Sequence, residues 1–143
     1  MADIYHRFVI HGPPAQVFEA ISTAAGLDSW WTLTSSGLAE PGAAYEFGFG
    51  PSHQWRAVAV CCETNSVLEW QITAAMDDWL GTRVGFTLHK AGDVTEVEFH
   101  HAGWTEATPH FRTTSYCWAM YLRLLKRFVE AGEVVPYGDR LEA

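Results

Sequence analysis

The most strongly patterned stretch of the chain is TPHFRTTSYCWAMYLRLLKRFVEAG, residues 108–132. Pro109 near its start and Gly132 just past its end are typical helix boundaries, because the first turn does not need the N–H that proline lacks and glycine tolerates the left-handed conformation after a helix. The spacing predicts a helix from about Thr108 to Ala131. Its apolar stripe comprises Phe111, Trp118, Leu122, Leu125 and Val129, with Tyr121 and Phe128 beside it. Such a stripe must lie on another apolar surface.

The opposite face of this predicted helix is polar. Its charged side chains are Arg112, Arg123, Lys126, Arg127 and Glu130. Tyr116 and Met120 interrupt the polar face. Isolated apolar residues on a surface are common and need no partner. The alternative is a contact with another protein, and in that case a weak homodimer is expected.

The region from residue 32 to residue 103 has the pattern of short strands joined by turns. Apolar and polar residues alternate in runs such as Ala43 to Phe49 and Val84 to Leu88. Turn residues separate the runs, for example Ala91-Gly92-Asp93. Short strands connected in this way form an antiparallel meander.

One more strand and two short helical segments precede this region. Residues 3–11 alternate as a strand, whose more apolar face comprises Ile4, His6, Phe8 and Ile10. Pro13-Pro14 opens a short helix. We predict that this helix ends at Gly26 and that residues 27–31 form a second turn or bend.

Together these elements predict a single α+β domain over residues 1–143. The only surface large enough to receive the apolar stripe of the long helix is the concave face of the sheet. We therefore expect a curved antiparallel sheet wrapped around the helix, with two short helices after the first strand and an apolar cavity between sheet and helix. A chain of this length can bury a sufficient core without a metal or a disulfide.

Composition narrows the classes of function. Apolar residues make up 48% and charged residues 18%, which is typical of a globular protein. The net charge of −8 repels phosphate backbones, so we expect no nucleic-acid partner. Three cysteines make no secreted disulfide framework, and neither a signal peptide nor an apolar run of roughly 18 residues is present. We expect a cytoplasmic protein with no membrane span and no cofactor. The sequence contains no glycine-rich phosphate loop.

Several segments resemble a known family. Residues 8–20, FVIHGPPAQVFEA, resemble the START-like helix-grip superfamily, also called SRPBCC. Residues 27–31, LDSWW, and residues 95–104, TEVEFHHAGW, are similar to its bacterial branch related to the activator of the ninety-kilodalton heat-shock protein ATPase. The closing pattern of Trp118, Tyr121-Leu122, Leu125-Lys126 and Gly132 is similar to the same branch.

The resemblance implies a sheet that grips the long helix, with a cavity between them. Members of the superfamily, which includes the birch pollen allergen and polyketide cyclases, bind lipids, steroids or polyketide-like molecules, and a few catalyse reactions on them. The chaperone-related activity belongs to eukaryotic relatives with a second domain. This sequence shows no such domain, so we do not expect that activity.

The predicted cavity is lined by three parts of the chain. Inward-facing strand residues comprise Phe47, Leu68, Trp70, Phe86, Val97 and Phe99. Trp118 and Leu122 of the helix would close the cavity. Trp30 and Trp31 would lie at its mouth, one in the core and the other controlling access. In the alternative, both tryptophans are core residues and the side chains interdigitate without leaving a void.

Histidine supplies the one candidate acid or base. His101 follows Val97 and Phe99 at intervals of two residues, so it lies on the same inward face of the strand. There it could bind a ligand oxygen or transfer a proton. The alternative is a core histidine hydrogen-bonded to a neighbour. His100 and His101 point to opposite faces of a strand, and the chain has neither a His-x-His nor a Cys-x-x-Cys pair. We therefore expect no metal site.

Three functions fit the sequence. The first is binding of a small apolar or aromatic molecule between the sheet and the long helix. The second is an enzyme of the cyclase or dehydratase type acting on such a molecule, with His101 as acid or base. The third is an interaction module whose exposed apolar patch binds another protein or a second copy.

Overall fold

A computed structural model describes all residues, 1–143, and shows the predicted architecture. The strands are β1 (Ala2–Ile10), β2 (Thr34–Ser36), β3 (Ala44–Gly48), β4 (Gln54–Glu63), β5 (Val67–Ala74), β6 (Arg83–Ala91) and β7 (Val94–Trp104). The helices are α1 (Pro14–Ser22), α2 (Ala24–Trp30) and α3 (Pro109–Ala131), followed by a C-terminal 3₁₀ helix over Tyr137–Glu142. All strand pairs are antiparallel, in the order β1-β7-β6-β5-β4-β3-β2. The predicted helix-grip fold is confirmed.

The ends of α3 follow from its sequence. The Thr108 side chain accepts a hydrogen bond from the Phe111 N–H, which satisfies one of the free donors of the first turn. Gly132 adopts the left-handed conformation with φ of 67° and bonds back to the Phe128 carbonyl. The predicted bounds of this helix are therefore correct to within one residue.

Strand register sets which side chains reach the core. Val84 of β6 pairs with His101 of β7, and Phe86 pairs with Phe99. All four side chains are buried, because residues directly opposite in an antiparallel pair share a face. Val84, Phe86 and Phe99 belong to one continuous apolar core in which the concave face of the sheet packs against α1, α2 and α3.

The predicted end of the first helix is wrong. Helix α1 ends at Ser22, and Gly26 lies inside α2. Thr23 separates the two helices in an extended conformation, and its hydroxyl caps α2 by accepting from the Gly26 N–H. A Cβ on Gly26 would lie 2.6 Å from the Ala20 carbonyl oxygen, so this glycine allows α2 to pack closely against α1 rather than ending a helix.

The segment after α3 packs back on the domain through a buried arginine. Arg140 donates hydrogen bonds to the carbonyl oxygens of Val135, Thr32 and Asp28 at 2.9, 3.1 and 2.7 Å. These bonds fix the C-terminal 3₁₀ helix beside the end of α2. Separately, none of the helices combines the length and apolar character that a membrane span needs.

Candidate ligand-binding groove

An open groove of about 340 Å³ lies beside the N-terminal half of α3. The other walls come from the β3–β4 hairpin, the β5–β6 loop, the end of α2 and the C-terminal 3₁₀ helix. None of the lining side chains is a lysine, arginine, aspartate or glutamate. A larger depression of about 600 Å³ on the outer face of α3 is bordered by Arg123, Lys126, Arg127 and Glu130. The smaller groove is therefore the better site for an uncharged ligand.

Five of the groove residues form a closed circuit of aromatic contacts, which we call the aromatic cluster: Trp31, Phe49, Trp55, Trp79 and Trp118. Ring centroids are 4.9 Å apart for Phe49 and Trp55, 4.6 Å for Trp55 and Trp79, and 5.0 Å for Trp31 and Trp118. Two more pairs complete the circuit: the ring centroids of Trp79 and Trp118 are 6.2 Å apart, and those of Trp31 and Phe49 are 5.4 Å apart. These distances are typical of interacting aromatic pairs, which hold one another in place.

The helical wall of the groove adds polar groups. His110, Thr114 and Cys117 line it along one side of α3, since residues three and four apart share a helix face. Burial raises the pKa of the Cys117 thiol and raises the pKa of Tyr121 to about 12. Both groups are therefore neutral at pH 7.

His110 is held by an acidic partner. Its Nδ1 lies 2.7 Å from an Asp78 carboxylate oxygen in the β5–β6 loop, and both side chains are about one-third exposed. The ring of Trp104 packs edge-on against the imidazole at 5.8 Å. No protein group is hydrogen-bonded to His110 Nε2.

The structure divides the predicted site residues into two groups. Trp31 and Trp118 line the groove. The others are buried in the packed core and do not line it: Trp30, Phe47, Leu68, Trp70, Phe86, Val97, Phe99, His101 and Leu122. Trp30 donates its indole N–H to the Ala20 carbonyl at 2.9 Å, so it is a core residue, whereas its neighbour Trp31 reaches the groove.

The sequence interpretation missed the groove residues that lie in loops or beside turns. Trp79 lies in the β5–β6 loop, and Phe49 and Trp55 flank the β3–β4 turn. A signal was present in the loop, where Met76 and Leu80 accompany Trp79 between polar residues. These two neighbours are about half exposed in the structure. Apolar residues gathered in a loop often indicate a binding surface.

His101 occupies a closed hydrogen-bond chain in the core. The Trp118 indole N–H donates to His101 Nδ1 at 3.1 Å, so the ring proton is on Nε2, which donates to the Thr82 hydroxyl at 2.8 Å. Thr82 in turn donates to the Trp79 carbonyl. Burial lowers the pKa of His101 to about 3, with a smaller contribution from the charge of His100. At neutral pH this histidine is an uncharged structural link between sheet and helix, without access to the groove.

The burial of His101 in this hydrogen-bond chain predicts that the free energy of unfolding depends on pH. The unfolded state binds a proton at His101 below its ordinary pKa of 6.5, whereas the folded state does not do so until about pH 3. The free energy of unfolding should therefore fall as pH is lowered from 6.5 to 5, by up to about 1.4 kcal/mol per pH unit from this residue. Urea titrations of the wild type and of His101→Asn, which keeps an acceptor for Trp118, measure the difference. Equal slopes in the two proteins would show that His101 is protonated in the folded state.

Comparisons with known proteins agree with this architecture. A family model described as "Activator of Hsp90 ATPase homolog 1-like protein" matches residues 11–130. The chain belongs to this family. The comparison with curated proteins found no match.

Solved structures have the same fold. The Aha1 dimer from Colwellia psychrerythraea is 30% identical, with a TM-score of 0.84 over 93% of this chain and 99% of that one. CalU16 from Micromonospora echinospora is 20% identical, with a TM-score of 0.76 over 98% of this chain and 84% of that one. DynU16, from the dynemicin biosynthetic locus, is 18% identical, with a TM-score of 0.76 over 92% of this chain and 48% of that one. CalU16 and DynU16 share the fold with this family member.

Proposed function

We propose that this family member binds an uncharged, mainly aromatic small molecule of the polyketide-like kind in the groove beside α3. The observation that carries the proposal is the aromatic cluster, which forms a wall of an open groove. Phe49 and Trp55 are partly exposed there, and the buried Trp31, Trp79 and Trp118 pack beside them. Flat aromatic faces bind a flat ligand better than a flexible acyl chain, because stacking adds to the gain of about 25 cal/mol per Å² of buried apolar surface. The absence of charged lining residues favours an uncharged ligand.

The family background supports a small-molecule role. DynU16, which shares the fold, comes from a biosynthetic locus. The alternative of a cyclase using His101 loses its support, because both ring nitrogens of that histidine are hydrogen-bonded within the core and the residue does not line the groove. Binding without turnover is the function that these contacts favour.

Calorimetric titration with 2-methoxynaphthalene, an uncharged two-ring probe, tests the proposal. We expect saturable binding with one site. Trp55→Ala removes a half-buried member of the aromatic cluster, and loss of its stacking contacts should weaken binding roughly 10-fold. Phe8→Ala is the matched control, since Phe8 is also half-buried but lies on β1 away from the groove. No saturable binding, or equal weakening by both substitutions, contradicts the proposal.

A second proposal is self-association through the outer face of α3. Tyr116 is 80% exposed and borders the depression there, beside Met120 and Leu141. The same depression carries Arg123 and Glu130, so two copies related by a twofold axis could pair opposite charges. The Aha1 from Colwellia psychrerythraea, 30% identical, is a dimer. Sedimentation equilibrium should show a dimer that Tyr116→Glu dissociates, and a monomer at all concentrations contradicts the proposal.

A further inference from the structure

The Asp78–His110 pair places an oriented hydrogen-bond acceptor at one end of the groove. Because Nδ1 is held by the carboxylate at 2.7 Å, its proton points to Asp78, and the neutral ring has its lone pair on Nε2. That nitrogen has no partner in the protein, although the ring borders the groove and about one-third of the side chain is exposed. An acceptor fixed in this way is suited to a ligand hydroxyl.

The distance along α3 relates this acceptor to the aromatic cluster. His110 and Trp118 are eight residues apart and line the same groove, which corresponds to roughly 12 Å along a helix at 1.5 Å per residue. Tyr121 extends the wall by a further turn. Nearer to His110, Trp79 of the cluster directly follows Asp78, the residue that holds His110. A ligand of two or three fused rings that lies against Trp79 can therefore reach His110.

We propose that the groove selects aromatic ligands with a phenolic hydroxyl, which donates a hydrogen bond to His110 Nε2. The proposal rests on the proposed function, because it names the polar group of the ligand that the aromatic cluster binds. Asp78 does not line the groove and acts as a positioning residue that fixes the imidazole tautomer. Thr114 and Cys117 supply further hydroxyl and thiol groups along the wall but no strong acceptor of fixed direction.

A pair of probes separates this inference from the proposed function. 2-Naphthol has a phenolic hydroxyl, and 2-methoxynaphthalene has the same rings with no O–H donor. Calorimetry on the full chain should show that the wild type binds 2-naphthol about 10-fold more tightly than 2-methoxynaphthalene. This ratio corresponds to the free energy of one well-formed hydrogen bond. His110→Phe keeps an aromatic ring but no acceptor, so it should remove this preference, which is measured as the ratio of the two affinities in the same variant.

Two further variants make the result specific. Asp78→Asn should lower the preference for 2-naphthol without changing the affinity for 2-methoxynaphthalene, whereas a purely structural role would weaken both probes alike. His100→Phe is the matched control, because His100 also pairs with a carboxylate at 2.7 Å, that of Glu69, but lies on the other face of the sheet. It should keep the full preference.

The possible outcomes are distinct. A preference that is lost in His110→Phe and kept in His100→Phe supports the inference. Binding of both probes with equal affinity, or a preference unaffected by His110→Phe, overturns it and leaves the proposed function standing. Binding of neither probe overturns both.

Discussion

Replacing Trp118 by alanine should lower the free energy of unfolding by about 4 kcal/mol, as expected for removing a large buried aromatic side chain. Trp118 is 2% exposed and lies against Phe99, with ring centroids 4.6 Å apart, and against Trp31 at 5.0 Å. Its indole N–H also donates to His101, so the substitution leaves a buried acceptor unpaired. Urea denaturation of the purified variant measures the loss.

Two companion variants separate packing from hydrogen bonding. Trp118→Phe keeps most of the ring volume but loses the N–H, and should cost about 2 kcal/mol. Tyr116→Ala, on the same helix but 80% exposed, should change the stability by less than about 0.5 kcal/mol. If Trp118→Ala were no more destabilising than Tyr116→Ala, the link between sheet and helix described here would be wrong.

Replacing Arg140 by alanine should cost about 3 kcal/mol. Arg140 is 3% exposed, and its guanidinium donates hydrogen bonds to three carbonyl oxygens, each of which loses a charge-assisted bond in the variant. Burial lowers the pKa of Arg140, which reflects the cost of holding this cation among neutral acceptors. The loss should appear both in urea denaturation and in faster proteolysis of the segment after α3.

The controls for Arg140 follow from its geometry. Arg140→Lys keeps the charge but cannot reach three carbonyls with one ammonium group, so it should recover only part of the stability. Arg112→Ala removes an exposed arginine that forms no ion pair and should be nearly neutral. Equal stability of Arg140→Ala and Arg112→Ala would contradict the proposed anchoring of the C-terminal segment.

The fold could be predicted because its signals are periodic and local. The apolar stripe of α3 and the alternation in β3 to β7 each follow from the geometry of one element. Gly26 shows the limit of such reasoning. A glycine after a short helix is typical of a helix end, but here it serves the contact of α2 with the Ala20 backbone, which no local pattern reveals.

The groove was harder to predict. The alternation along a strand tells which face of the sheet a side chain lies on, but it does not tell whether that side chain borders an open space. Phe47, Trp70 and Phe99 point inward as predicted, yet they interdigitate with the helices and fill the interior. The open space lies at the edge, where Trp79 and His110 come from loops and a helix start. Their positions depend on how the β5–β6 loop folds toward α3, a tertiary contact that the Asp78–His110 pair maintains.

The most direct test of the groove is a ¹H–¹⁵N spectrum of the seven tryptophan indole groups during titration with 2-methoxynaphthalene. Four of these groups belong to the aromatic cluster, at Trp31, Trp55, Trp79 and Trp118. We predict that their signals show the largest saturable shifts, because the ring current of a bound aromatic molecule acts over a short distance. Largest shifts at Trp30 and Trp70 instead, or no shifts at any indole, would contradict binding in the groove.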